Sequence, residues 1–462
     1  MGAHRRLPGL GARSLNLTSL LALAAAGVSP WSAPAALSPC PAGPSAPSGP
    51  AARVVFPSDS PSQATGPGAI VWSASASCPG GAGARVARIG ADEVPGESTI
   101  PRDADGRPLV PQGALVASGA PHGQIAIAGA SPLAPADGLV IQGGASGPFS
   151  ALAPAEGSAP PMALTSAYLG DLALAAPPAP GGSATAGLRV HVERFFARRF
   201  APDALASRGG SGTVQTLALA MDYRSEALLA WAQGGAVYAR LLSAHGASHR
   251  VQRLAAVAGS RPTITALLSD DLRGMVAWAD QRGSETSVYI DRSATGVRFG
   301  APELLERFQD PDGLPSPAAS PTLVRLSSES VMLAWAGSAA GHWVVRTAPV
   351  NLNGVGEVDT IAAPGADALL AALTPGPGDD ALLLWTEPQP DSAGAPDMAR
   401  QALFAARGTA SYPPAHTVFG EPELVAPPGP ISGATAAFDP DSDRPIAVWE
   451  GQAGALEYSL HA

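Results

Sequence analysis

The chain contains no lysine, so all 28 of its basic residues are arginine, set against 38 acids. Schiff-base chemistry, a lysine general base and a phosphate loop ending in Gly-Lys-Ser/Thr are excluded, because each needs an amine at one fixed position. Charge of either sign is sparse: 14% of residues are charged and the net value is −10. A duplex-binding protein must neutralise several phosphates with clustered cations, so no nucleic-acid partner is expected. The densest basic run, Arg194 to Arg199, is short and reads as a solvated strand edge. Only two cysteines occur, Cys40 and Cys78, 38 residues apart and without a Cys-x-x-Cys pair. They cannot build a four-cysteine zinc site, and in an oxidising compartment they predict one disulfide stapling the first structural unit. No stretch reaches the roughly 20 apolar residues that span a bilayer, so no membrane span is expected.

What is abundant is glycine and proline, 53 and 48 among 462 residues, beside 46% hydrophobic residues. That content breaks helices yet is too apolar for wholesale disorder. The N-terminus carries Arg5, Arg6 and Arg13, then an apolar stretch from Leu15 closing on Ala24-Ala25-Ala26. This order predicts an export signal over 1–26 and a single domain over 27–462, placing the protein outside the cell or in its envelope. His4 before the paired arginines and Leu7-Pro8 after them fit a twin-arginine signal poorly, which favours general secretion.

The strongest pattern is a recurring apolar strand ending in tryptophan: Ala69 to Trp72, Leu228 to Trp231, Met275 to Trp278, Met332 to Trp335, Leu382 to Trp385 and Ile446 to Trp449. Ile125 to Ala128 and Leu172 to Ala175 fall in the gaps, with alanine where the ring would be, and the eight ends are spaced by 54 residues on average. A fixed period of this size marks a repeat architecture. The fifth unit shows the interior: Thr263 to Leu268, Met275 to Trp278, Ser287 to Ile290 and Val297 to Leu305 read as four strands, with Asp280 to Thr286 as a loop. Four short strands per unit predict an all-β propeller whose small sheets must sandwich against one another, with tryptophan as the wedge between them. The 436 residues after the signal give about eight four-stranded blades, with seven as the alternative. The last unit stops after its third strand, Leu456 to Leu460, and Trp31 to Leu37 carries a fourth-strand pattern. The N-terminal strand is therefore expected to complete the last blade.

Trp278-Ala-Asp280-Gln-Arg282-Gly283, followed by Val288-Tyr289, Arg292 and Gly296, resembles the repeats of secreted bacterial propellers of the broad sialidase-like and TolB-like kind. The other units lack the Asp and Arg. The resemblance implies a structural role for Asp280 and Arg282, an ion pair with each other or with the loop backbone. It assigns no activity, since the Ser-x-Asp-x-Gly-x-x-Trp turns of sialidases do not occur and fold alone does not confer chemistry.

Asp439, Asp441 and Asp443 alternate in one turn and could direct several oxygens toward calcium, the one cofactor the sequence suggests. Asp103-Ala-Asp105-Gly106 and Asp310-Pro-Asp312-Gly313 are weaker versions, and Asp, Pro and Gly are also what ordinary turns use. His245 and His249 lack a third zinc ligand nearby. Glu285, Glu387, Asp391, Asp397 and Glu450 follow the tryptophan strands and should gather on one face. No catalytic group is assigned. The sequence favours a monomeric, non-catalytic scaffold that binds an extracellular protein or glycan through loops on one face. A sialidase-like or other carbohydrate-active hydrolase and a cell-envelope assembly factor are the alternatives.

Overall fold

The computed structural model describes residues 29–38, 52–56, 67–120, 124–133, 138–152 except 146, 162–166, 171–177, 188–194, 199–200, 204–205, 212–243, 249–311 except 260, 261 and 272, and 320–461 except 327–329, 362–366, 393 and 412–415. The export segment, Cys40, His245, Asp312 and Gly313 lie outside them.

The described chain is all-β. Its strands form eight antiparallel sheets of four or five strands, spanning 52–99, 112–152, 163–205, 214–256, 263–309, 322–360, 369–429 and 432–460 in chain order. No sheet closes on itself. In each five-stranded sheet two short pieces share the fourth position, as Gly354–Val355 and Asp359–Thr360 do beside His342–Asn351. The only helical element among the described residues is a 3-10 turn, Gln452–Gly454, and none is long and apolar enough to cross a membrane.

All eight anticipated apolar segments are the second strands of these sheets. Leu172–Ala176 and Ala227–Gln233 are buried at every position. Continuous burial along a strand means that both of its faces are covered, here by the sheets before and after. Eight core clusters lie between the sheets, one at each consecutive pair and one joining the eighth sheet to the first. The first strands differ: Ala163–Ser166 is half-buried throughout, and Val214–Met221 and Thr263–Leu268 are half-buried along most of their length. First strands of consecutive sheets pack on one another, and Ser432–Phe438 of the eighth packs on Ala52–Val55 of the first.

The tryptophans occupy these seams as core side chains. Trp72, Trp231, Trp278, Trp335, Trp385 and Trp449 are fully buried, and each ring faces the preceding sheet, which for Trp72 is the eighth. Trp231 stacks on Tyr238, Trp278 on Tyr289 and Trp385 on Phe404, at centroid distances of 5.4, 5.5 and 5.8 Å. The alignment of Ala128 and Ala175 with these rings is corrected by strand parity. Ala128 faces the third sheet and Ala175 the fourth, which in each case is the following sheet; Ile127 and Leu174 are the residues that face backward. Side chains alternate along a strand, so a one-residue offset exchanges faces.

Two boundaries in the fifth unit also move. The expected loop from Asp280 to Thr286 is a two-residue turn, because the second strand runs to Arg282 and the third starts at Glu285. Gly283 supplies the positive φ (+61°) that such a hairpin needs. The fourth strand is Glu303–Gln309, not Val297 to Leu305. Gln252 of the fourth sheet takes the backbone of Phe299 instead, accepting from its N–H at 3.0 Å and donating to its carbonyl at 2.8 Å. With Phe299 buried below, this segment is held out of the ladder.

At the N-terminus, Ala35–Ser38 pairs antiparallel with Leu456–Leu460, Ala35 opposite Tyr458 and Ala36 opposite Glu457. It occupies the fourth position of the eighth sheet. Trp31 bridges to His461, and its ring is buried between the seventh and eighth sheets.

Candidate functional site

Antiparallel order places the second-to-third hairpins and the connectors between sheets at one end of every sheet, and the first-to-second turns at the other. At the hairpin end Asp280 is buried. Its Oδ1 accepts the Gly259 N–H at 2.6 Å and its Oδ2 the Ala258 N–H at 3.2 Å, both on the connector from the fourth sheet. Arg282 Nε reaches Oδ2 at 3.4 Å from an exposed position. The buried carboxylate thus holds the connector, not the backbone of its own hairpin turn. A Cβ at Gly259 would stand 2.5 Å from the Gln281 carbonyl oxygen, so this approach requires glycine.

Other seams repeat the bracing with different residues. Gln233, two residues after Trp231 as Asp280 is after Trp278, donates to the Gly212 carbonyl at 2.8 Å. Asp367, on the connector into the seventh sheet, accepts the Trp343 N–H at 2.8 Å. Gln401 donates to Ile431 O on the connector into the eighth sheet and accepts from the Thr386 hydroxyl. Asp310 accepts from the Gln281 amide and from the Thr286 hydroxyl.

Of the five acids expected in loops, Glu285, Glu387, Asp397 and Glu450 lie at strand ends or within strands and only Asp391 in a turn, and all are engaged locally. Asp391 accepts from Ala395 N–H, Asp397 from Ala399 N–H and Glu450 from the Ser432 hydroxyl, while Glu285 lies 3.9 Å from Arg307. Glu387 accepts the Trp385 indole N–H at 2.9 Å, and burial holds its carboxyl above the usual carboxylate range. Carboxylates serve three further indoles in the same way: Glu306 for Trp335, Glu457 for Trp449 and Glu423 for Trp31.

At the turn end, Asp439 Oδ1 accepts the Asp441 N–H at 2.9 Å and its carbonyl accepts the Asp443 N–H. Arg444 of this turn approaches Glu93 of the first sheet at 3.7 Å. Among the described residues, no three His, Cys, Asp or Glu side chains are grouped to hold a metal ion. The turn at Asp103 likewise uses its Oδ1 on the Asp105 and Arg107 N–H groups. Asp222 and Asp291 share a feature that the sequence did not reveal. Each uses Oδ1 on two backbone N–H groups, and each buries an Oδ2 that has no hydrogen-bond partner. Burial raises the pKa of both, as it does that of Asp439.

Cys78 is buried, with Sγ 3.6 Å from Ser75 Oγ; its expected disulfide partner Cys40 lies outside the described residues. His249 serves through its backbone, its N–H donating to the Leu241 carbonyl and its carbonyl accepting Arg240 Nε.

The first strands carry mostly small and apolar residues, and Arg53 and Arg325 are their only charged ones. Arg325 pairs with Asp270 at 2.7 Å. The guanidinium of Arg53, half-buried on Ala52–Val55, has no hydrogen bond or ion pair among the described residues, and burial lowers its pKa. A lone arginine within Ala-Arg-Val-Val was the signal available for it.

No family model and no curated protein matches the chain. Solved structures to which the chain is similar include a polysaccharide lyase, an ulvan lyase, at 10% identity over 76% of this chain and 92% of that one, with a TM-score of 0.44. An α-L-arabinanase of Penicillium chrysogenum is similar at 11% identity over 53% and 77%, with a TM-score of 0.37. A neuraminidase-like protein of A/flat-faced bat/Peru is similar at 10% identity over 65% and 87%, with a TM-score of 0.32. At these scores the likeness assigns neither family nor activity.

Proposed function

We propose that the eight sheets are the blades of one closed propeller over 27–462, sealed by the N-terminal strand. It is exported by the segment 1–26 and acts as a binding scaffold for an extracellular protein or glycan. The cyclic series of seams and the Ala35–Ser38 pairing support the ring. The observation that carries the function is the bracing at the hairpin end. Asp280, Gln233, Asp367 and Gln401 tie hairpins to connectors, which makes a rigid platform from which the turns project. Rigid elements beneath exposed loops are how scaffolds present binding residues.

Glu387 favours a second reading, a carbohydrate-active hydrolase, because a half-buried carboxyl of raised pKa is what a general acid requires. The two readings separate on a glycan array run beside chromogenic glycoside substrates. The scaffold reading expects retention of a glycan without turnover. Turnover that disappears in Glu387→Gln would establish the hydrolase instead.

A further inference from the structure

We propose that the axis of the molecule holds a binding site for a small monocarboxylate with an apolar body, and that Arg53 is its anchor. This rests on the closed-ring reading, since only a ring turns the first strands into the lining of one channel.

Arg53 lies on the first strand of the first sheet, opposite Val71. Ala52 and Val54 face the eighth sheet, whereas Val55 packs with Leu115 and Ala117 of the second. Strand alternation puts Arg53 on the side of Val55, against the first strand of the second sheet. None of the four strands of that sheet contains an acidic residue. The other inner-strand arginine, Arg325, is already matched to Asp270. Arg53 is therefore a guanidinium without a counter-charge among the described residues, half-buried rather than sealed. A half-exposed guanidinium with no counter-charge is open to an entering anion.

The geometry also selects the anion. One guanidinium fork matches one carboxylate bidentately. A polyphosphate would bring charge that no second cation answers. The wall on the arginine's side suits an alkyl chain: Leu115 and Ala117, which pack with Val55, are apolar and half-buried.

Titration calorimetry of the full chain at fixed ionic strength tests this with acetate, butyrate, hexanoate, hexanol and inorganic phosphate. Hexanoate should bind at least tenfold more tightly than acetate, and hexanol and phosphate should bind far more weakly than hexanoate. Arg53→Gln should lose hexanoate at least tenfold, while Arg325→Gln retains it. If Arg53→Gln does not fold, wild-type crystals soaked in 6-bromohexanoate should give an anomalous bromine peak beside the inner strand of the first sheet. No binding by the wild type, equal binding by folded Arg53→Gln, phosphate binding as tight as hexanoate, or a bromine peak elsewhere overturns the site. Joining residues 32 and 459 by cysteines tests the ring separately. A joined ring that ignores hexanoate refutes the site alone, and an absent ring refutes both.

Discussion

Asp291 shows how one residue can work against the fold that uses it. Oδ1 fastens the Arg292 and Gly300 N–H groups, yet Oδ2 is sealed without a partner and burial raises the pKa. A carboxyl whose folded pKa is raised destabilises the fold above that pKa, and the penalty vanishes below the unfolded value near 3.9. Asp291→Asn keeps the Oδ1 contacts and removes the charge. Melting curves should show the variant more stable than wild type at pH 7, with the gap shrinking as pH falls toward 4; a gap independent of pH would refute this. Gly259 gives the opposite sign. Gly259→Ala drives a Cβ against the Gln281 carbonyl, and the resulting backbone shift should cost about 1–3 kcal/mol by denaturant unfolding. Stability equal to wild type would mean that the connector is not held as described.

For each strand, the question is which face a residue presents. Trp278→Ala empties a fully buried seat between the fourth and fifth sheets, and the loss should be about 3–5 kcal/mol. Ala128 tests the parity correction. If it stood where the rings stand, Ala128→Trp would repair the repeat. Because it faces the third sheet at full burial, the substitution should destabilise by about 1–3 kcal/mol or more. The second strands were legible because continuous burial leaves an unbroken apolar run in the sequence. The offset at Ala128 and Ala175 was not, since a run apolar on both faces carries no alternation to fix its register. The fourth strand of the fifth unit was misplaced for a different reason. Phe299-Gly-Ala-Pro-Glu-Leu has strand-like composition, but only its Glu303 and Leu304 enter the ladder, because the backbone of Phe299 is satisfied by a distant side chain, Gln252. Asp280 and Arg282 were legible as a pair, while the connector that Asp280 holds lies more than 20 residues away and left no local trace.

Over the whole molecule, a stack of sheets is stable only if its first and last members are covered, because each exposes an apolar face. The eighth sheet packs on the first, and its open edge is paired by Ala35–Ser38. Side chains reinforce the junction: Trp31 donates to Glu423 at 3.0 Å, His461 lies 3.1 Å from the same carboxylate, and Ser459 Oγ donates to the Ser32 carbonyl at 2.7 Å. The complementarity of the two termini could be read from strand patterns alone, whereas Glu423 joined them only in three dimensions.

Closure by the two termini is the claim on which the channel and the scaffold both depend. Ser32 Oγ and Ser459 Oγ lie 3.3 Å apart across 427 residues. With Cys40 and Cys78 replaced by serine, a Ser32→Cys, Ser459→Cys chain should oxidise almost completely to a joined monomer. That monomer should migrate faster than the reduced form on a denaturing, non-reducing gel and melt at a higher temperature. Intermolecular dimers or unreacted thiols in the folded protein would contradict the closure.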